Sequence, residues 1–241
     1  MNLLGIDFGT TSVKSVMFDE SFNEIADNLQ DYTLNTSGDR VEYPAENYFV
    51  LLKNAIENAR KKAPIDALAI DTQCETFILT DEKGNPVRDA IVWLDNRAVK
   101  EAEEIEHRFG RKKVYEITGQ PEITATWPAA KLLWVKKNEP EVWAKTKKIF
   151  LLEDYLIYKL TGEFVTEKTL QSSSLYFNVK SGDWWDDMLE FIGIDRVMLP
   201  ELLDSGALVG EYNGIKVVTS AMDRLQVQLA PELSKKASSV K

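Results

Sequence analysis

The sequence predicts an α/β protein, in which a mixed sheet carries flanking helices and a helical insertion. Two short apolar segments, residues 3–8 and 13–18, are separated by small turn residues, which is typical of a β-hairpin. Apolar residues three or four positions apart follow over 45–59 and predict a helix with one buried face. A further buried strand is predicted at 65–72. Because a helical crossover joins parallel strands, the sheet is expected to combine parallel and antiparallel pairs.

Turn residues divide the rest of the first hundred positions into shorter pieces. The polar stretch 22–34 predicts a third strand, and residues 35–43 predict a loop. A second hairpin is predicted from residues 77–80 and 87–94, with a turn around Gly84. The strands therefore precede the helical part of the chain.

The second half of the chain is predicted to be mainly helical, because apolar residues there recur at helical spacing between glycine and proline breaks. Five helices are predicted, at 98–109, 112–118, 129–138, 140–146 and 153–160. Further elements follow: a mixed region over 164–178, helices near 184–192 and 221–229, and strands at 206–212 and 216–219. Without a repeat or low-complexity linker, residues 1–230 are expected to form one continuous domain and residues 231–241 a flexible tail.

Composition and charge disfavour several functional classes. The 241 residues include 29 Lys and Arg against 39 Asp and Glu, a formal net charge of -10, so a nucleic-acid backbone or an anionic membrane surface would repel the protein. The longest apolar stretches, such as 90–94 and 149–152, are far shorter than the roughly 20 residues that span a bilayer. Cys74 is the single cysteine, so no internal disulfide forms. We therefore expect a soluble, cytoplasmic protein that binds neither nucleic acid nor membrane.

Two strand ends carry residues suited to chemistry. Asp7 ends the first strand, and the turn Gly9-Thr10-Thr11-Ser12 follows, whose small residues leave N–H groups and hydroxyls to face an anion. A plain β-turn with a capping aspartate explains the same residues equally well. Near the other end of the chain, the strand 216–219 leads to Asp223 before a predicted helix. A helix N-terminus favours an acid in any case, so neither segment is decisive alone.

Five segments occur together in a fixed order: Gly5-Ile6-Asp7-Phe8-Gly9-Thr10-Thr11-Ser12, Gln73-Cys74-Glu75-Thr76, Ala90-Ile91-Val92-Trp93-Leu94-Asp95-Asn96-Arg97, Lys131-Leu132-Leu133-Trp134 and Ser220-Ala221-Met222-Asp223. In this order, over about residues 3–230, the chain resembles the FGGY family of carbohydrate kinases. The resemblance implies an actin-like, ribonuclease-H-like ATPase fold and ATP-dependent phosphoryl transfer to a carbohydrate hydroxyl. It also implies that sugar is held by the first of two lobes and ATP by the second. This chain is then expected to be the first lobe, to lack the C-terminal nucleotide-binding lobe, and to be inactive as a kinase by itself.

The resemblance assigns roles to the two strand ends. Asp223 would be the catalytic base that accepts the proton of the attacking hydroxyl. Asp7 would position Mg²⁺ through water, which suits an ion that keeps most of its waters. Gly9, Thr10 and Thr11 would approach the terminal phosphates of ATP, since phosphoryl transfer depends mainly on positioning and charge neutralisation.

The resemblance also places a carbohydrate pocket. Gln73, Cys74, Glu75 and Trp93 would bind the substrate together with Asp223. Glycerol kinase-like members have Gln-Arg-Glu-Thr where this chain has Gln73-Cys74-Glu75-Thr76, and a tyrosine where it has Thr126. A thiol cannot replace the several hydrogen bonds of an arginine. A larger polyol or a ketose is therefore expected in place of glycerol.

Two other classes of function stay open from the sequence. The chain could be a non-catalytic sugar-binding or interaction module that needs a partner chain, and a homo-oligomer is equally compatible with the sequence. A ribonuclease H-like nuclease would place Asp7 on the first strand and bind two metals with further carboxylates. The acidic net charge argues against the nuclease.

Overall fold

The computed structural model describes residues 1–221, so Asp223, most of the predicted helix 221–229, the domain boundary at 230 and the predicted tail lie outside the described residues. The first part of the chain contains β1 (Leu3–Phe8), β2 (Ser12–Phe18), β3 (Glu24–Asp31), β4 (Asn35–Ser37), β5 (Arg40–Tyr43), α1 (Ala45–Arg60), β6 (Ala67–Thr72), β7 (Phe77–Thr80) and β8 (Ala90–Ile91).

Helices dominate the chain from residue 99 to residue 192. They are interleaved with short strands, in the order α2 (Val99–Phe109), α3 (Arg111–Thr118), α4 (Pro128–Asn138), α5 (Pro140–Lys145), β9 (Lys148–Leu151), α6 (Leu152–Thr161), β10 (Val165–Glu167), α7 (Lys168–Gln171), β11 (Phe177–Asn178), β12 (Asp183–Trp184) and α8 (Asp186–Ile192). A 3₁₀ turn (Arg196–Met198) precedes β13 (Glu201–Leu203), β14 (Leu208–Tyr212) and β15 (Ile215–Val218).

A six-stranded mixed sheet, in the order β14-β15-β6-β1-β2-β3, confirms the predicted fold class. β1 and β2 form the predicted hairpin, with Leu3 opposite Phe18. β6 runs parallel to β1 and β15 parallel to β6, so all three strands end at the same edge of the sheet. The side chains of Leu4, Ile6 and Phe8 alternate towards one face, as a strand requires, and are buried there.

Helices α1 and α6 cover that face of the sheet and close the first core. The buried residues of α1 recur at helical spacing (Ala45, Tyr48, Leu52, Ala55, Ile56 and Ala59). This spacing is the reason why the helical crossover between β3 and β6 could be predicted. It places the loop after β6 beside the turn after β1.

A second sheet, in the order β4-β5-β8-β7-β9, contains the main departures from the sequence predictions. Residues 35–43 were predicted as a loop, but they form the β4–β5 hairpin. Its first strand is exposed along its whole length, so no apolar alternation marks it. β9 was not predicted because Ile149, Phe150 and Leu151 are all buried, and an uninterrupted apolar run does not distinguish strand from helix. The hairpin of β7 and β8 is confirmed, although β8 is short.

The five predicted helices between residues 98 and 161 are present, each within two residues of its predicted bounds. Four of them, α2 to α5, enclose a second core together with α8 against one face of β7 and β9. The parallel pair β10–β13 was not predicted. None of the helices within residues 1–221 is both long and apolar enough to cross a bilayer.

Candidate functional site

The carboxyl ends of β1 and β6 form the floor of the candidate site. The two strands are in parallel register, so Asp7 lies opposite Asp71 and Phe8 opposite Thr72. The backbone N–H of Gln73 donates to the carbonyl of Phe8 at 3.0 Å, which extends the pairing beyond the strands. The edge of a parallel sheet is therefore where the two predicted segments, after β1 and after β6, meet.

A cleft of about 550 Å³ opens above this edge. It brings together most of the residues predicted from the sequence, namely Asp7, Gly9, Thr10, Gln73, Cys74, Glu75 and Trp93. Thr11 is exposed in the same turn and lies outside the lining of the cleft. Asp223 lies outside the described residues, but the strand that leads to it, β15, ends at the same edge of the sheet.

The turn between β1 and β2 is held from two sides. The hydroxyl of Tyr32 donates to the carbonyl of Gly9, and the backbone N–H of Tyr32 donates to the carbonyl of Thr11 at 2.9 Å. From the opposite side, the indole Nε1 of Trp93 donates to Oγ1 of Thr10 at 3.0 Å. The turn that is predicted to face phosphate is thus a fixed part of the cleft.

Gln73 is fixed by two tyrosines behind the cleft. Its Nε2 donates to the hydroxyl of Tyr32 at 3.2 Å and to the hydroxyl of Tyr48 at 3.1 Å. Tyr43 packs against both rings. Burial raises the pKa of Tyr32 to about 12 and raises the pKa of Tyr48 further. The two phenol oxygens accept from Nε2, and these bonds keep the amide of Gln73 in place.

A buried lysine supports Trp93. Lys131 is fully buried, and its Nζ donates to the carbonyls of Val92 at 2.9 Å and Trp93 at 3.0 Å. The N–H of Trp93 donates to Oγ1 of Thr76 at 3.1 Å. Burial lowers the pKa of Lys131 to about 7, while the charges of Asp95 and Glu75 act in the opposite direction. Lys131 belongs to one of the five segments quoted above, but nothing in its spacing indicates that it supports Trp93.

The loop 119–127 forms the outer wall of the cleft, and of its residues only Thr126 was named from the sequence, as the position of a tyrosine in glycerol kinase-like members. It contributes Gln120, Pro121, Glu122, Thr124, Thr126 and Trp127 to the lining. Nε2 of Gln120 donates to the carbonyl of Ser172 at 2.8 Å, and Nε1 of Trp127 donates to the carbonyl of Glu122 at 2.8 Å. Apart from Thr126, the sequence marks this segment as a break between two helices, because it is the fold that brings the loop beside the ends of β1 and β6.

Two buried carboxyl groups begin α6, directly behind the same sheet edge. Oε1 of Glu153 accepts the backbone N–H of Ser220 at 3.1 Å, and Oδ2 of Asp154 accepts the N–H of Leu151 at 2.9 Å. Burial raises the pKa of Glu153 well above its ordinary value, reinforced by the charge of Asp154. Burial likewise raises the pKa of Asp154 to about 7. Glu153 thereby anchors the backbone three residues before Asp223.

The carboxylates at the floor fit a magnesium ion. Magnesium takes few protein ligands and keeps several waters, so one or two carboxylates are enough. Asp7 and Asp71 are neighbours across β1 and β6, and both line a shallow depression that also includes Ser220. Within residues 1–221 no cluster of three or more potential metal ligands occurs, so a closed all-protein cage is not built there. Asp71 was missed because its position opposite Asp7 depends on the strand register.

The chain is similar in sequence to known proteins. The model for the "FGGY family of carbohydrate kinases, N-terminal domain" matches residues 2–223. A xylulose kinase of Lactococcus lactis is 32% identical over 209 residues, which cover 84% of this chain and 41% of the relative. A glycerol kinase of Thermococcus gammatolerans is 34% identical over 222 residues, covering 86% of this chain and 44% of the relative. The chain thus spans less than half the length of these relatives.

Solved structures show the same fold. A ligand-bound xylulose kinase from Lactobacillus acidophilus has a TM-score of 0.89 at 23% identity, covering 95% of this chain and 49% of that one. A gluconate kinase from Lactobacillus acidophilus has a TM-score of 0.87 at 24% identity, covering 92% and 48%. A Plasmodium falciparum glycerol kinase with ADP has a TM-score of 0.86 at 24% identity, covering 95% and 49%. The predicted actin-like α/β fold is confirmed.

Proposed function

The chain belongs to the FGGY family of carbohydrate kinases, and we propose that it supplies the carbohydrate-binding lobe of a kinase that phosphorylates a sugar or polyol. The cleft at the ends of β1 and β6 is the observation that supports this most strongly. It combines a small-residue turn beside a carboxylate with a wall of amide, carboxylate and indole groups. The turn suits a phosphate, and the wall suits the hydroxyls of a carbohydrate.

The turn after β1 is proposed to receive the nucleotide phosphates. ATP supplies the phosphoryl group when bound, and Mg²⁺ neutralises the charge that develops during transfer. Asp7, with Asp71 beside it, would hold Mg²⁺ through water. Gly9, Thr10 and Thr11 would contact the phosphates, and the fixed geometry of the turn would keep them in place before the nucleotide arrives.

The opposite wall is proposed to orient the acceptor hydroxyl. Gln73, Cys74, Glu75 and Trp93 would bind the carbohydrate, with Glu75 accepting hydroxyl hydrogens. Asp223 would accept the proton of the attacking hydroxyl, since an alcohol becomes a good nucleophile only as its proton leaves.

Phosphoryl transfer is proposed to require a second, nucleotide-binding lobe in addition to this chain. A cleft that is open on one side neither excludes water nor aligns ATP, and closure of two lobes normally does both. The chain alone is therefore expected to give little or no ATP-dependent turnover. A second candidate function is a sugar-binding module without catalysis, which is favoured because Gln73, Cys74, Glu75 and Trp93 all line one cleft of this chain.

The experiment that tests the proposal is reconstitution with a second lobe. The chain is joined to the nucleotide-binding lobe of a related kinase, and ATP-dependent phosphorylation is measured over a panel of polyols and ketoses. Asp223→Asn is expected to lower kcat by about a hundredfold or more with little change in KM, because the amide accepts a hydrogen bond but is a poor base. Asp204→Asn, an exposed acid on the connection to β14, is the matched control.

The outcomes separate the alternatives. Near-normal turnover by Asp223→Asn would show that this residue is not the base. Binding of polyols without turnover by the reconstituted wild type would favour the sugar-binding module.

A further inference from the structure

Tyr32 bonds both halves of the cleft from behind. Its backbone N–H donates to the carbonyl of Thr11 at 2.9 Å, and its hydroxyl donates to the carbonyl of Gly9. The same hydroxyl accepts from Nε2 of Gln73 at 3.2 Å. Tyr32 directly follows β3 and does not line the cleft itself. One side chain outside the cleft therefore joins the turn that is proposed to receive phosphate to the segment that is proposed to bind carbohydrate.

The hydrogen bonds around Tyr32 run in one direction. A phenol has a single O–H, so the hydroxyl of Tyr32, which donates to Gly9, can only accept from its other neighbours. These neighbours are Gln73 and the hydroxyl of Tyr48. Nε2 of Gln73 also donates to the hydroxyl of Tyr48 at 3.1 Å. The donors of Gln73 and Tyr48 therefore converge on Tyr32, whose own proton is committed to Gly9.

The bond to Gly9 also fixes the direction of a second group in the turn. The carbonyl of Gly9 and the N–H of Thr10 belong to one planar trans peptide, so they point in opposite directions. No partner for the N–H of Thr10 occurs within residues 1–221. Because Tyr32 holds the carbonyl, this N–H is held facing away from Tyr32 as a donor for an anion.

We propose that Tyr32 is a positioning residue for phosphoryl transfer, whose hydroxyl orients the Gly9–Thr10 peptide for phosphate and ties this peptide to Gln73. The inference rests on the proposed function. Tyr32 acts through Gly9, Thr10 and Gln73 and not by contact with a substrate. A donor that is aimed before the ligand arrives needs no reorganisation during transfer, so loss of its orientation costs both phosphate affinity and rate.

The first test follows the amide of Thr10 in the 241-residue chain by NMR. Isotope-labelled protein is titrated with magnesium tripolyphosphate, and the Thr10 resonance is expected to shift with ligand concentration. Tyr32→Phe keeps the ring and the backbone N–H that bonds Thr11, and it removes only the hydroxyl. This variant is expected to bind tripolyphosphate at least about threefold more weakly, because the donor is no longer aimed in advance.

Tyr43→Phe is the matched control. The ring of Tyr43 packs against the rings of Tyr32 and Tyr48, but its hydroxyl bonds Asn47. The substitution therefore removes a hydroxyl from the same aromatic cluster without removing a bond to the turn or to Gln73. Tripolyphosphate affinity is expected to stay within about twofold of the wild type, since the two hydroxyls act on separate groups.

The second test separates kcat from KM in the kinase reconstituted with a nucleotide-binding lobe. Tyr32→Phe is expected to lower kcat by about tenfold and to raise KM for ATP, because a misplaced phosphate donor costs rate as well as binding. Tyr48→Phe removes one acceptor of Gln73 but leaves the bond from Tyr32 to Gly9. It is expected to raise KM for the carbohydrate and to leave KM for ATP within about twofold.

The outcomes distinguish this role from the proposed function. A Thr10 amide that does not respond to tripolyphosphate in the wild type would refute the phosphate site, and the role of Tyr32 with it. A response that Tyr32→Phe leaves unchanged, or an unchanged kcat in this variant, would overturn the role of Tyr32 alone. Equal losses in Tyr32→Phe and Tyr43→Phe would also overturn it, because they would show that the cluster acts by packing.

Discussion

Trp93 and Thr10 are 83 positions apart in sequence, yet the indole Nε1 of one donates to the hydroxyl of the other at 3.0 Å. This bond joins the proposed carbohydrate wall to the turn that is proposed to receive phosphate. Lys131 and Thr76 hold the backbone of Trp93, while Tyr32 holds the turn from its other side. The two halves of the cleft are therefore one connected structure before any ligand binds.

The Trp93–Thr10 bond is expected to contribute measurably to stability. A double-mutant cycle with Trp93→Phe and Thr10→Val separates this bond from the packing of each side chain. The coupling energy is expected to be about 1 kcal/mol, the usual net value of a neutral hydrogen bond. Urea unfolding of the four proteins measures it. Strictly additive effects of the two substitutions would mean that the bond contributes nothing.

Glu75 is expected to act on binding more than on turnover. Glu75→Ala removes an acceptor and leaves bound hydroxyls unpaired, so the affinity for a polyol is expected to fall by about 1–3 kcal/mol, while kcat of a reconstituted kinase changes less. Calorimetry and initial-rate kinetics give the two values. Glu82→Ala, an exposed glutamate in the β7–β8 turn, serves as the control. A fall in kcat with unchanged affinity would instead place Glu75 in the chemical step.

Lys131 is expected to make stability rise with pH. Its pKa is about 7 in the folded protein against an ordinary value of 10.5, so between these values the unfolded chain binds a proton that the folded protein has released. The free energy of unfolding therefore rises with pH in this window, by at most about 1.4 kcal/mol per pH unit, and this contribution is lost as pH falls towards 7.

Lys131→Met lacks that dependence. The unfolding free energy of the wild type minus that of Lys131→Met is expected to increase from about pH 7 to about pH 10, as measured by urea unfolding. Lys145→Met, an exposed lysine that ends α5, is expected to follow the wild type. Parallel profiles for the wild type and Lys131→Met would show that the buried ammonium keeps an ordinary pKa.

Glu153 is expected to have the opposite effect on the pH profile. Its folded pKa is raised well above 4.5, so above that pH the folded protein retains a proton that the unfolded chain has lost, and stability falls as pH rises. Glu153→Gln keeps an acceptor for the N–H of Ser220 and cannot ionise. Its Tm relative to the wild type is therefore expected to increase as pH rises above the ordinary glutamate pKa of 4.5. A difference in Tm that is constant with pH would contradict the raised pKa.

Local pattern was sufficient where each element satisfies its own hydrogen bonds or faces one core. The hairpin of β1 and β2, the amphipathic helix α1 and the strand β6 could be predicted because their apolar spacing directly reflects one buried face. Their order implies a crossover, which in turn places the residues after β1 and β6 at one edge. This order explains why Asp7, the following turn and the segment Gln73-Cys74-Glu75 share one cleft, although the pocket itself was predicted from the family resemblance.

The sequence by itself determined the fold class and the crossover, because these depend on local spacing and chain order, and it pointed to the inner residues of the cleft through the family resemblance. Only the tertiary structure decided which groups from distant parts of the chain complete the cleft. Residues 35–43 pair as strands because a second sheet exists to accept them, and β9 is buried on both faces by two cores. Burial places Lys131 behind Trp93, and strand register places Asp71 beside Asp7. A loop anchored at Ser172 brings Glu122 into the lining of the cleft. Such contacts depend on the free energy of packing between segments far apart in the chain, which no local pattern encodes.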